Sequence, residues 1–316
     1  MEQIKERLKI NEKHFIEANY ETTLRLSHII SNIYQNPIFK EKLVLKGGCA
    51  VQCYLGNIQR LFFDADFTFL ASNLGEFQQE KQLFRNQMID LMHILDYQTI
   101  SNKSRYSYSL DSFRFPYNKT SNGNLDYMKV EVNYSQGRHL YPCNVKTWAD
   151  NTFLLNTEAI VPRLEELLGM KVKALLERGT IKDLIDIKSL IDCYPSCDVD
   201  IVRKSYLFYY ALAVQRENPA SLEKIETISK RNVTGGLLPL LPKNSRFDLN
   251  KTKKEVFSFL KDTLVFTKGE LLFLGCFKKG EYYPELLFSE VDVVERAKKN
   301  PMASYKIMVK KENLNS

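Results

Sequence analysis

The 316 residues carry 45 Lys and Arg against 38 Asp and Glu, a formal charge of +7, with 44% hydrophobic and 26% charged residues. That length and apolar content support a globular protein of two domains or one elaborated one, and the charge balance allows a polyanionic partner without the dense basic blocks of a histone-like tail. No apolar run approaches the ~20 residues that span a bilayer, and the N-terminus MEQIKERLKINEKHF is polar with no signal h-region, so a cytoplasmic location away from membranes is expected. The six scattered cysteines are expected to be thiols.

In chain order, Ile4, Leu8, Phe15, Leu24, Leu26, Ile29, Ile30 and Ile33 give residues 2–35 an amphipathic helical pattern that stops at Asn36-Pro37. A short apolar run, Leu43 to Leu45, ends on Gly47-Gly48, and helical spacing in Ala50, Val51, Tyr54 and Leu55 follows from Cys49: strand, tight turn, helix. After Gly56-Asn57 the chain alternates, with Phe63, Ala65, Phe67 and Phe69 on one side and Asp64, Asp66 and Thr68 on the other. Asn73 and Glu76 have capping-box spacing before a long helix that ends near Asp96. Meander strands are predicted over Tyr97 to Ile100, Tyr106 to Phe113 and Tyr127 to Tyr134, with a turn at Lys119 to Asn124. A helix from Pro162 to Gly179 carries a leucine-rich stripe. The remainder reads as mainly helical, with Tyr206, Phe208, Tyr209 and Tyr210 as core and a break from Gly235 to Pro242. Residues 1–156 and 157–316 are the expected domains.

Two carboxylates on one strand face, Asp64 and Asp66, repel each other unless a cation lies between them, and oxygen donors two residues apart suit hard divalent metals that also take phosphate oxygens. The diglycine lets backbone N–H groups approach a phosphate at a helix start. In Met128 to Asn133 the polar face holds Lys129, Glu131 and Asn133, and Glu131 suits the third carboxylate of a two-metal site. The alternative is a solvated strand face behind an ordinary turn. Cys49/Cys53 and Cys193/Cys197 are two C-x3-C pairs that would sum to a four-thiolate zinc site, but zinc knuckles usually have C-x2-C spacing. His14, His28 and His93 fall on predicted helices and His139 in a loop, with no triad among them.

Lys46-Gly47-Gly48-Cys49-Ala50, followed by Arg60 to Phe67 in the pattern R-x-x-x-D-x-D-F, resembles the AbiEii/AbiGii family of nucleotidyltransferase toxins, within the polymerase-beta-like nucleotidyltransferase superfamily. Lys171, Ala174, Leu175, Arg178, Asp183 and Asp186 match its second motif, E-K-x-x-A-L-x-x-R-x-x-x-R-D-x-x-D, with Met170 replacing Glu and Lys182 replacing Arg. The resemblance extends to Tyr283-Pro284-Glu285 and Asn300-Pro301. It implies an α+β fold, with a small mixed sheet and flanking helices as nucleotidyltransferase core and a mainly helical C-terminal domain. It also implies that the diglycine meets the triphosphate, that Asp64, Asp66 and Glu131 hold two Mg2+ ions, and that Lys171 contacts the triphosphate. Lys46, Cys49, Arg60, Arg178, Lys182 and Asp183 complete the implied nucleotide site, with Lys182-Asp183 capping its cleft.

Cys49 stands where the family usually has Thr or Ser, and Phe62 where it usually has Ser. A thiol is a poor donor to phosphate, so Cys49 implies weaker triphosphate binding, and its place at a helix start beside Lys46 leads to the expectation of a lowered thiol pKa, which burial would instead raise. The expected activity is transfer of a nucleoside monophosphate from an NTP to an acceptor, the 3′ end of tRNA by resemblance and by net charge, in a toxin with a cognate antitoxin. Transfer onto a protein side chain, and a catalytically weakened nucleotide-binding protein, are the alternatives.

Overall fold

Alternating patterns in the first half of the chain become five strands: β1 (Leu43–Lys46), β2 (Asp64–Phe69), β3 (Arg105–Tyr106), β4 (Leu110–Asn118) and β5 (Leu125–Asn133). In this computed structural model, which describes residues 2–11, 14–70, 77–97, 103–213 and 218–315, they form one sheet in the order β1-β2-β5-β4-β3. β2 and β5 run parallel and the other neighbours antiparallel, so the sheet is mixed, as expected. The capping box at Asn73 and Glu76 and the strand predicted from Tyr97 lie wholly or mostly outside the described residues; Tyr97 itself is buried in irregular chain.

The chain divides into two compact units. The first comprises Met1–Gly137, Asn144–Val161 and Leu238–Ser245. The predicted N-terminal helix is here two, α1 (Glu2–Leu8) and α2 (Glu17–Gln35). Asn11 accounts for the interruption: its side chain accepts from the Phe15 N–H at 2.9 Å and donates to the Phe15 carbonyl at 2.8 Å, taking backbone groups a helix would use. His14 sits at φ 51 in the interruption rather than on a helix. α2 is buried along most of its length, and its Tyr34 hydroxyl joins three elements. It lies 3.2 Å from the Leu43 carbonyl and 3.0 Å from the Ile160 carbonyl, and accepts from the Leu45 N–H at 2.9 Å. Asn36 caps the short helix α3 (Pro37–Lys40) ahead of β1.

α4 (Gly47–Leu55) begins two residues earlier than the spacing predicts and ends on left-handed Gly56. α5 (Phe77–Ile94) fills the connection from β2 towards β3. A second sheet, the hairpin of β6 (Asn144–Asp150) and β7 (Leu155–Val161), has Trp148 and Phe153 in its core. Its sequence hides it: Val145 is exposed while Asp150 is buried, accepting from the Thr152 N–H at 3.0 Å, so polarity runs against the alternation.

The second unit, Arg138–Cys143, Pro162–Leu237 and Arg246–Ser316, is helical. α6 (Leu164–Arg178) ends on left-handed Gly179, and α7 (Ile181–Cys193) starts at the Thr180 cap; α8 (Val199–Leu212) buries Tyr206, Phe208, Tyr209 and Tyr210 as core. Glu166 on α6 is fully buried and gathers the loop at residues 138–143. Its carboxylate accepts from the Leu140 and Tyr141 N–H groups at 3.0 and 3.1 Å and from the Tyr209 hydroxyl, and meets His139 Nδ1 at 3.0 Å. Burial opposes its charge, but His139, Tyr209 and the Leu140 N–H outweigh burial and hold it below the usual carboxylate range. No helix among the described residues is long and apolar enough to cross a membrane.

Candidate active site

The register of the five-stranded sheet sets the geometry of the site. Lys46 on β1 pairs with Asp66 on β2, Asp66 with Glu131 on β5, Glu131 with Ser112 on β4, and Ser112 with Arg105 on β3. One row of side chains therefore crosses all five strands, and at about 4.8 Å per strand it spans roughly 19 Å. The next row on that face holds Asp64, Lys129 and Arg114. The three carboxylates singled out in the sequence are neighbours, joined by a pairing of residues 65 positions apart, Asp66 with Glu131, that no local pattern reveals.

Asp64 and Asp66 are half-buried. Burial, the charge of Asp64 and that of Glu131 push the Asp66 carboxyl up to about 6, against the lowering effects of Lys46 and Lys129. Lys129, which sequence reasoning left unassigned, meets Glu131 at 2.6 Å and partly offsets that concentration of negative charge. Among the described residues no three His, Cys, Asp or Glu side chains converge as a ready-made metal cage. The donor set is nonetheless the one hard cations take: all oxygen, anionic, and with a carboxyl already strained by its neighbours' charge.

The diglycine is required by close approach. Gly47 has φ +68, and a Cβ there would sit 2.5 Å from Asp66 Oδ2; a Cβ on Gly48 would sit 2.6 Å from an Arg60 guanidinium nitrogen. Gly47 thus lets the turn lie against the acidic strand, with the N–H groups of the α4 start beside it, and Gly48 makes room for the Arg60 guanidinium. Arg60 is buried, donates to the Leu61 carbonyl at 3.0 Å and leans on Gly48, while Gln52 accepts from the Gln59 N–H at 2.7 Å. Gly47→Ala is expected to cost at least about 2 kcal/mol through left-handed strain and overlap with Asp66, and to abolish activity; denaturant unfolding and a transfer assay check it.

Cys49 departs from its sequence expectation. Its thiol is buried and donates to the Asp64 carbonyl at 3.2 Å. Burial first, then Asp64 and Asp66, push its pKa well above the ordinary thiol value rather than lowering it. Native Cys49 is therefore expected to resist iodoacetamide at pH 8 for as long as the protein stays folded, with labelling followed by peptide mass spectrometry. Phe62, the other departure, is a core residue: its ring meets Trp148 at 6.2 Å, and its N–H donates to Thr23 Oγ1 at 3.1 Å. Cys49 and Cys53 are both buried free thiols on α4.

In the helical unit, Lys171 is buried with Nζ 2.7 Å from Asp186 and 3.6 Å from Asp183. Arg178 donates to both oxygens of Asp183 at 2.7 and 2.8 Å. Burial raises the Asp183 carboxyl, but Arg178, Lys171 and Thr180 outweigh it and bring the pKa to about 2. Arg178 and Lys182 are exposed, whereas Lys171 and Asp183 are not.

The fold is similar to that of MenT4, a nucleotidyltransferase toxin from Mycobacterium tuberculosis H37Rv, over 98% of both chains with a TM-score of 0.60 at 13% identity. JHP933 from Helicobacter pylori aligns over 76% of this chain and 89% of its own with a TM-score of 0.43 at 19% identity. No curated protein matches the sequence. The mixed sheet with flanking helices is the fold that the likeness to MenT4 shows. Residues 29–264 match the family described as nucleotidyl transferase AbiEii toxin, Type IV TA system, and the chain belongs to that family. Membership implies an NTP substrate and an antitoxin partner.

Proposed function

We propose that this enzyme moves a nucleoside monophosphate from an NTP onto a hydroxyl at the 3′ end of tRNA. The acceptor oxygen forms a bond to the α-phosphorus, the bond between the α-phosphorus and the bridging oxygen to the β-phosphate breaks, pyrophosphate leaves and the hydroxyl proton passes to solvent. The observation that carries this reading is the register row Lys46–Asp66–Glu131 beside the diglycine turn. Asp64, Asp66 and Glu131 would hold one or two Mg2+ ions, which when bound polarise phosphoryl oxygens and make a hydroxyl a better nucleophile.

The chain's own groups do the rest. Lys46 and the Gly47, Gly48 and Cys49 amides face triphosphate charge, Arg60 fixes the turn, and the α4 dipole adds to the attraction. Within the helical unit, Arg178 and Lys182 are exposed, and Asp183, itself held by Lys171, orients Arg178 from below the surface. The deciding experiment incubates purified protein with each α-labelled NTP, Mg2+, total RNA and protein. Label entering tRNA with release of pyrophosphate supports the reading; label on protein, or none in either, overturns it. A cytoplasmic location follows from the same proposal, because tRNA is there.

A further inference from the structure

The sheet's polar row does not stop at the acidic residues. Beyond Glu131 it continues into a groove of about 650 Å³ lined by Lys103, Arg105, Ser112, Arg114 and Tyr127, with Glu131 at its end. Arg105 is exposed, Arg114 is half-buried, and among the described residues neither makes an ion pair; Lys103 Nζ lies 5.3 Å from the centre of the Tyr127 ring. We propose that this groove seats the terminal nucleotides of a single-stranded RNA acceptor, Arg105 and Arg114 taking successive phosphates and Tyr127 offering a face for a base. The proposal rests on the tRNA reading above and adds the direction of approach: triphosphate from the Lys46 side of the carboxylates, acceptor from the Arg105 side.

Three observations support it. The groove's free charge is cationic on the far side of three clustered carboxylates, so a polyanion is the complementary occupant. An aromatic ring among phosphate-binding cations is the pairing that single-stranded nucleic acid requires. The hairpin carrying the groove is also held from behind. Asp111, one residue before Ser112 and on the opposite face, accepts from Arg85 of α5 at 2.9 and 3.0 Å and from the Tyr134 hydroxyl at 3.0 Å. Arg85 lies 4.4 Å from the Tyr106 ring centre, and buried Lys81 donates to the Ser107 and Tyr108 carbonyls. This network fixes the β3–β4 turn, so the strands that carry Arg105 and Arg114 are held in place before any ligand arrives.

The test uses the full chain with the paired change Arg105→Ala and Arg114→Ala, and as a control of equal charge Lys278→Ala with Lys279→Ala. Transfer from labelled NTP to deacylated total tRNA is measured alongside binding of a fluorescein-labelled 12-nucleotide RNA. The expected result for the groove pair is an RNA KM raised about tenfold near 0.15 M salt, weaker oligonucleotide binding, and a salt slope shallower by about 1.4, roughly 0.7 for each lost phosphate contact. The kcat and the KM for NTP should change less than about twofold, and the control pair should leave the RNA KM where it was. An unchanged RNA KM, an effect on NTP KM instead, or an equal effect of the control pair overturns the groove assignment while tRNA transfer by the wild type still stands. If the wild type places no label on RNA, the functional reading falls, and the oligonucleotide titration alone decides the groove.

Discussion

Asp66→Asn is expected to remove magnesium-dependent transfer entirely while making the isolated protein more stable at neutral pH. The carboxyl is pushed up to about 6 by burial, Asp64 and Glu131. A raised acid pKa means that the folded state holds the proton more tightly than the unfolded one. The ionisation penalty is absent below about pH 4, grows as pH rises through the interval to 6 and is complete above it; at 1.4 kcal/mol per unit its ceiling is about 3 kcal/mol. Asparagine keeps the shape without the charge. Thermal melts should therefore show the variant above wild type at pH 7.5 and level with it at pH 4, and Mg2+ should stabilise the wild type alone. Retention of transfer by Asp66→Asn would refute the metal assignment. A variant that melts below wild type at pH 7.5 would show that the acidic pair is not strained.

Lys171→Ala should act mainly on stability. The ammonium lies buried between Asp186 and Asp183, so its removal leaves two carboxylates facing each other without their cation, a change that typically costs 3–5 kcal/mol. Asp183, held at about 2, contributes stability that is complete above roughly pH 4 and is lost as pH falls towards 2. The variant should flatten the acid limb of the stability curve in that window, measured by urea unfolding from pH 2 to 7. If unfolding is unchanged and only the KM for NTP rises, Lys171 binds the nucleotide directly, as the family likeness implies.

The parts of the site legible in sequence are those written in short patterns. Lys46-Gly47-Gly48 and the D-x-D strand declare themselves locally because glycine and alternating carboxylates have few other uses in that order, and Glu131 follows from the phase of β5. What makes these residues a site is the β2–β5 pairing, which spacing within either strand cannot show. Cys49 read wrongly because a helix start signals thiol activation only when the thiol meets solvent, and here it points into the core. Lys171 read as a triphosphate contact by resemblance alone, and its ion pairs with Asp183 and Asp186 escaped notice because those partners lie on the following helix. Lys129 shared the alternation that located Glu131, whereas Arg105 and Arg114 join it only through the pairing of β3 with β4 and of β4 with β5, and each is of a residue type that usually belongs to a solvated face.

The parallel contact of β2 with β5 also sets when the acidic row can form. Asp66 and Glu131 meet only after the intervening helix, β3 and β4 have been made and folded back, and closing such a distant pair is entropically costly and slow compared with local structure. A chain still emerging from the ribosome with residue 124 as its last carries the diglycine and the D-x-D but not the third carboxylate. The acidic row is thus a property of the finished sheet rather than of either motif alone, and a chain that ends before Glu131 has no such row.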